Sequence, residues 1–586
     1  MENLYLPSLG LAAAALFAAL LVVRLTLKDP LEKLTAWLRV AHRGYPPVPP
    51  GLPARGLLAP LIREAQTLAR DFARAQEAAE QEARLRQRGE SLWTAERLRE
   101  HVRAKLSGRP LLLIANREPY RHSRKGGKIE WMTPASGLVT GLEPLLRACG
   151  GTWIAHGDGD ADRETSDERG RLRVPPDRPQ YTLRRVWLDA GEEKGYYEGF
   201  SNEGLWPLCH IAHVRPVFRP EDWAFYRRVN EKFAEAALAE IEGMEEPFIL
   251  IQDYHFTLLP KLIKARRPDA RVALFWHIPW PNPEAFDICP WREELLLGLL
   301  GADLIGFHTQ FHCNNFLETV DRTLESRIDR ERFAVQREGH ATVVRAFPIS
   351  VAYEGASSHD PVGDARADRE LVLKATGVKV DFIAVGVDRL DYTKGILERL
   401  RGVERFLEKY PQYRGRFTLF QLGAPSRTGL ASYRDFMGQV EAEAARINSR
   451  FPGAQAPITL LLKHHSHEEI RPFYRAADAC LVTSLHDGMN LVAKEFVVAR
   501  EDEGGALILS RFTGAARELR DALIVNPYDT DEVAEALHTA FTMDAAARSL
   551  RMAHLRRQVR ENNVYRWAGN LIEELAAVRI ETPAQV

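Results

Sequence analysis

Beyond residue 109 the chain alternates short apolar runs with longer stretches of helical character. Leu111–Ala115, Phe248–Gln252, Val272–Trp276 and Leu304–Phe307 read as strands buried on both faces of a parallel sheet. A second series begins near Asp381, with strands expected at Phe382–Val387, Phe417–Leu422, Ile458–Leu462, Ala479–Thr483 and Ala506–Leu509. Two such series predict an α/β fold of two facing Rossmann-like domains, with a cleft between the carboxyl ends of their strands.

The first hundred residues follow another pattern. Leu4 to Val23 is almost wholly apolar, close to the roughly 20 residues that span a bilayer. Its only early charge is Glu2, whereas a cleaved signal peptide opens on basic residues. Arg24, Lys28, Lys33, Arg39 and Arg43 follow the run. The positive-inside bias then leaves the rest of the chain in the cytoplasm. Residues 1–30 therefore read as a single-pass transmembrane anchor. Residues 45–53 form a proline-rich linker. Leu61, Ala65, Leu68, Phe72, Ala75 and Ala79 then make a helical stripe, so 31–108 reads as linker plus helical stalk. Both a coiled-coil stalk joining copies of the chain into a homo-oligomer and a helix packed back on the core remain open.

The chain has 586 residues, 45% hydrophobic and 27% charged, the balance of a globular protein. A formal net charge of −1 gives no bulk attraction to nucleic acid. The five cysteines contain no CxxC pair, which argues against a disulfide scaffold or a zinc site.

Two segments carry candidate chemistry. The run from His486 to Glu495 reads as a strand end, a tight turn and the start of a helix near Asn490. Backbone N–H groups after Gly488 would point out of that helix, where anions are stabilised. Asp487 and Glu495 bracket the turn, an arrangement suited to a nucleotide sugar with hydroxyls at both ends and phosphates between. In the second segment, Arg389 and Lys394 sit in the loop after the strand Phe382–Val387 and Gly395 permits a tight turn. Two cations at a strand's carboxyl end can neutralise a diphosphate.

With their surroundings these segments resemble the trehalose-6-phosphate synthase family of retaining glycosyltransferases, which have two facing Rossmann-like domains of GT-B type. The resemblance runs from about Leu111 onward. It rests on Asn116-Arg117, Ser136-Gly137-Leu138, Tyr196-Tyr197 through Phe200-Ser201-Asn202 to Leu205-Trp206-Pro207, and Asp253-Tyr254-His255. It continues through His277-Ile278-Pro279, the run Arg389 to Gly395, the run Asp487 to Glu495, and Asn526-Pro527-Tyr528-Asp529. It implies an acceptor domain over 109–350, a nucleotide-sugar domain over 351–559, and a last helix, about 560–580, crossing back to the first domain.

By resemblance the donor is a nucleotide-diphosphate glucose, with UDP-glucose expected. Arg389 and Lys394 would bind its diphosphate, Glu495 its ribose, and Asp487 a glucose hydroxyl, with the N–H groups of Gly488, Met489, Asn490 and Leu491 nearby. His277 would reach the glucose. Arg389, Lys394, His277 and Asp487 form the implied catalytic set. Arg117 and Arg427 would grip the phosphate of glucose 6-phosphate, Tyr197 and Trp206 would wall its pocket, Asp253 would bond its hydroxyls, and Gly137 would let backbone approach. The product would be trehalose 6-phosphate. Front-face transfer needs neither a metal nor a cofactor, and none is expected.

Two departures fall on the acceptor side. His156 stands where the family places a tryptophan, and the stretch from Tyr120 to Trp131 is unlike the family's short loop. Glycerol 3-phosphate or another phosphorylated polyol is therefore an alternative acceptor. A sugar-phosphate-binding regulatory pseudoenzyme is a further alternative. Asp158, Asp160 and Asp162 are expected in a solvated loop, and His464, His465 and His467 are expected to be structural.

Overall fold

The computed structural model describes residues 92–133, 137–353, 364–453 and 455–579, with a few positions between 24 and 61. Residues up to Leu92 form one unit and Trp93 onward another. In the leading unit, Arg24–Lys28 form a short π-helical turn. The expected span Leu4–Val23, and all of the stripe but Leu61, lie outside the described residues. Among the described residues, no helix is long and apolar enough to cross a membrane.

The second unit holds two large sheets and a hairpin. The strands up to the end of the first sheet are β1 (Leu111–Arg117), β2 (Arg121–Lys125), β3 (Lys128–Met132), β4 (Thr152–His156), β5 (Arg171–Val174), β6 (Tyr181–Val186), β7 (Phe248–Gln252), β8 (Arg271–Phe275), β9 (Leu304–Phe307), β10 (Arg327–Asp329), β11 (Ala334–Arg337) and β12 (His340–Ala346). Ten of them form one sheet in the order β10-β11-β12-β9-β8-β7-β1-β4-β6-β5. Pairing is parallel from β12 across to β6 and antiparallel at both flanks. The remaining strands are β13 (Phe382–Arg389), β14 (Phe417–Ala424), β15 (Ile458–Leu461), β16 (Ala479–Val482), β17 (Ala506–Ser510) and β18 (Leu523–Val525). They form an all-parallel sheet in the order β15-β14-β13-β16-β17-β18.

The central strands bury every residue or nearly so, which is why they show as unbroken apolar runs. The stretch Tyr120–Trp131, expected as an unusual loop, is a hairpin, with Arg121↔Met132 to Lys125↔Lys128 in antiparallel register. It closes through Gly126 and Gly127, both at positive φ.

One boundary moves. Residues 93–106, read from sequence as part of the stalk, belong to the core. Leu98, Val102 and Leu106, four apart on one face of the helix Ala95–Lys105 and its cap, are wholly buried. They share a core with the helix Gly137–Cys149 and the last helix, Val564–Ala577. Gly569 lets the Trp93 ring lie on that last helix, since a Cβ there would fall 2.6 Å from the ring. Asn563 caps the helix and donates to the Trp93 carbonyl at 2.8 Å. Trp567 meets Phe275 of β8 edge-on at 5.2 Å. The helix Val564–Ala577 thus packs on the first sheet.

Candidate active site

The carboxyl ends of the two sheets meet. A Cβ built on Gly488 would lie 2.2 Å from the carbonyl oxygen of His277, so only glycine allows this approach. His486 Nδ1 lies 2.7 Å from the His210 carbonyl, a second tie across the same junction.

The donor segments fold much as expected. Asn490, at φ 74°, caps the helix Leu491–Ala499 by accepting from the Ala493 N–H at 3.1 Å. Its amide also donates to Asp487 Oδ2 at 3.1 Å, and Ser484 Oγ reaches the same oxygen at 3.2 Å. Lys394 Nζ lies 2.6 Å from it. Burial alone would raise the Asp487 carboxyl, but Lys394 and Asn490 outweigh it and hold it down at about 2. Glu495 projects from the first turns of the helix, where its Oε2 accepts from Tyr474 OH at 3.2 Å. Burial raises its pKa, opposed by the charge of His467 and the Tyr474 bond.

Arg389 is the last residue of β13 rather than part of the loop after it. The strand runs past its apolar stretch because Asp388 is neutralised from within. Fully buried Arg399 donates to Asp388 Oδ2 at 2.5 Å, Gln421 Oε1 at 2.7 Å and Thr483 Oγ1 at 3.0 Å. This brace joins β13, β14 and β16 beneath the site. Lys394 ends a tight turn, Tyr392–Lys394, and Gly395 follows at φ 60°. A Cβ on Gly395 would fall 2.0 Å from the Thr483 carbonyl oxygen.

His277 follows β8. Its backbone N–H donates to Asp253 Oδ1 at 3.1 Å, and its Nε2 lies 2.7 Å from Gln252 Oε1. The Gln252 amide thereby fixes the orientation of the ring. Burial drives the ring's pKa well down, so it stays neutral. Asp253, at φ 72°, also accepts from the Tyr254 N–H at 3.0 Å. Burial pushes its carboxyl up to about 7, against the pull of these N–H groups.

Of the residues expected to bind substrate, Arg427 and Arg389 approach the Trp206 ring. The Arg427 guanidinium lies 4.0 Å from the Trp206 ring centre and that of Arg389 lies 5.5 Å away. Arg427 is tucked in, donating to Tyr433 OH and, at 3.3 Å, to Tyr254 OH, with Asp391 Oδ2 at 3.5 Å. Tyr197 stacks on His255, ring centres 5.7 Å apart. Burial works to raise the Tyr197 hydroxyl, yet the positive charge of Arg427 and Arg117 brings it down to about 8. Arg117 projects, exposed, from the end of β1. Gly137 opens the helix Gly137–Cys149. Thus Arg117, Tyr197, Trp206 and Arg427 converge with Arg389.

The expected solvated loop at 158–162 is a correction. Asp162 is fully buried and pairs with Arg185 at 2.8 Å, while its oxygens accept the backbone N–H groups of His122 and Gly159. Asp160 accepts from the Arg124 N–H, and Asp158 pairs with Arg121 at 3.2 Å. The loop is solvated only where it faces outward, because it receives the β2–β3 hairpin on its other side. Glu118, Asp158 and Asp162 bring carboxylate oxygens within 4.8 Å of one another. Arg185 already supplies positive charge to Glu118 and Asp162. Burial, and then the facing Asp162, push Glu118 up to about 9. Sequence reasoning missed Arg185, Glu118, Arg399 and Tyr433, and gave no role to Asp391 within the run Arg389 to Gly395. Their only sequence signal is charge or hydroxyl inside or beside an apolar run.

Two α/β sheets with parallel centres, meeting at their carboxyl ends with cations and a capped helix at the junction, define a GT-B-like glycosyltransferase frame. The chain belongs to glycosyltransferase family 20, whose family model matches residues 109–577. The trehalose-6-phosphate synthase of Mycolicibacterium smegmatis is 41% identical over 486 residues, 80% of this chain and 92% of that protein. That of Mycobacterium marinum is 39% identical over 488 residues, covering 80% and 94%. Among solved structures, E. coli trehalose-6-phosphate protein bound with UDP-2-fluoro glucose superposes with a TM-score of 0.70 at 32% identity, covering 80% of this chain and 99% of that one. An α,α-trehalose-phosphate synthase (UDP-forming) from Burkholderia xenovorans, in complex with glucose-6-phosphate, gives 0.69 at 31%, covering 80% and 100%.

Proposed function

We propose that the chain transfers glucose from UDP-glucose to glucose 6-phosphate with retention, yielding trehalose 6-phosphate and UDP. The observation that carries this reading is the convergence of Arg389 and Arg427 on Trp206, with Lys394 beside Asp487 at the capped turn. The names and bound molecules of the relatives support it. Arg389 and Lys394 hold the diphosphate and stabilise the charge that grows as the bond to glucose breaks. The N–H groups of Gly488 to Leu491 face the phosphates, Glu495 takes the ribose, and Asp487 and the Nδ1 side of His277 take glucose hydroxyls. Arg117 and Arg427 hold the acceptor phosphate, Tyr197, Trp206 and Gly137 shape its pocket, and Asp253 orients its hydroxyls. The departing diphosphate accepts the proton of the incoming hydroxyl, so no protein carboxylate need act as nucleophile.

A panel of acceptors with UDP-glucose and GDP-glucose tests this. Nucleotide release should be fastest with UDP-glucose plus glucose 6-phosphate. Release with glycerol 3-phosphate but not glucose 6-phosphate would favour the polyol reading, which gains support from His156. That residue lies beside Arg117 in the β1–β4 register, its Nδ1 3.2 Å from the Val186 carbonyl, and offers a polar ring. No release with any acceptor would point to a regulatory binder.

The apolar run Leu4–Val23 supports a single-pass anchor with the catalytic part in the cytoplasm. A chain lacking the residues before Arg24 is expected in the soluble fraction with kcat unchanged. Continued sedimentation with membranes would argue against a lone anchor.

A further inference from the structure

We propose that Arg185 is the positioning residue of the acceptor pocket, fixing the direction in which Arg117 leaves the first sheet. The inference rests on the reading that Arg117 holds the acceptor phosphate.

Arg117 needs such support because its strand does not supply it. The β1–β4 ladder shifts register between Ile114 and Arg117, so regular backbone pairing does not set the exit of the chain. Arg117 itself is exposed, but both its neighbours are anchored. Asn116 Oδ1 accepts from Tyr196 OH at 3.0 Å. Glu118, 2% exposed, accepts from Arg185 Nε at 2.8 Å.

The Arg185 guanidinium is wholly buried and its donors are all directed to acceptors. Beyond Glu118, Nη1 reaches the Asp162 carbonyl at 2.9 Å and the hydroxyls of Thr165 and Ser166 at 3.0 Å. Nη2 reaches the Tyr120 carbonyl at 2.9 Å and lies 2.8 Å from both Asp162 Oδ1 and His122 Nδ1. One planar fork therefore ties the segment after Arg117, the root of the β2–β3 hairpin and the 159–166 turn to β6. Lysine has no such fork; its ammonium offers a single centre and three donors. Arg185 also underlies the neighbouring strand end, since a Cβ on Gly157 would lie 3.1 Å from Arg185 Cδ. Gly157 follows His156, the register partner of Arg117. Arg389, Lys394, Asp487 and Glu495 stand on the other sheet, and His277, after β8 of the first sheet, shares none of these contacts.

The test is steady-state kinetics on the full chain carrying Arg185→Lys or Glu118→Ala, with both substrates varied and melting followed in parallel. Glu118→Ala removes the tie nearest Arg117 yet leaves the Arg185–Asp162 pair, so it reports even if Arg185→Lys fails to fold. Both variants should raise the acceptor KM by about ten-fold or more. Donor KM should stay within about two-fold, with kcat at saturating acceptor little changed. A residue that merely holds the fold together would lower melting temperature without this split. Unchanged acceptor KM in folded Glu118→Ala, or equal changes for both substrates, overturns the proposal. A wild-type chain that neither turns over nor binds a phosphorylated sugar by calorimetry instead overturns the underlying functional reading, and the proposal falls with it.

Discussion

Replacing Lys394 with alanine is expected to lower kcat by about 100- to 1,000-fold, while the KM for the acceptor moves by no more than a few-fold. The reason is where the ammonium sits. Lys394 ends the turn after β13 and is held by Asp487 at the mouth of a capped helix, so its charge is already placed before any donor arrives. A charge fixed in advance costs no reorganisation when the leaving diphosphate gains electrons. Arg427, to which the acceptor phosphate is assigned in the proposed function, is held separately by Tyr254, Tyr433 and Asp391. Arg389→Ala should fall in the same direction. Kinetics with each substrate varied in turn would decide: variants turning over at the wild-type rate would remove the phosphate role assigned to both cations.

The second large effect is expected from the smallest change. Gly488→Ala places a methyl 2.2 Å from the His277 carbonyl oxygen and 3.0 Å from the His308 ring. Backbone blocks backbone here, so the 487–490 turn must retreat from the first sheet. On its other side a Cβ at Gly514 would fall 2.0 Å from the Gly488 carbonyl oxygen, so Gly514 already stands close behind. A displacement of about 1 Å at such a site costs on the order of 100-fold in rate. Overpacking costs about 1–3 kcal/mol of stability. The variant should therefore lose kcat/KM by about 100-fold and melt at a lower temperature than wild type. Full activity in Gly488→Ala would show that the close approach of the two sheets is not needed for transfer.

What could be read in advance follows physical lines. Strands buried on both faces, such as β7, β8, β9 and β14, appear as apolar runs because no position faces water. The helix start at Asn490 was legible because a capping side chain, a glycine and an apolar turn lie together in sequence. Flanking strands were not. β6, Tyr181–Val186, carries Arg184 and Arg185, and the inward charge of Arg185 looks like an outward one until its partners are known. Those partners come from residues 118–122 and 162–166, far away in sequence. The same holds for Asp162, whose place in an alternating aspartate run with glycines at 157 and 159 suggested solvent. The hairpin at 121–132 escaped because β3 is exposed throughout and shows no alternation. Long-range polar networks leave almost no local trace, while burial of whole strands leaves a strong one.

The helix Val564–Ala577 has a consequence for how this protein is made. Asn563, at its start, bonds to Trp93, 470 positions earlier. Until the chain has been made as far as this helix, the face formed by Leu98, Val102 and Phe275 waits uncovered. A chain broken off before residue 564 would hold all of the described strands yet show bare apolar surface, which makes it a natural client for chaperones and proteases.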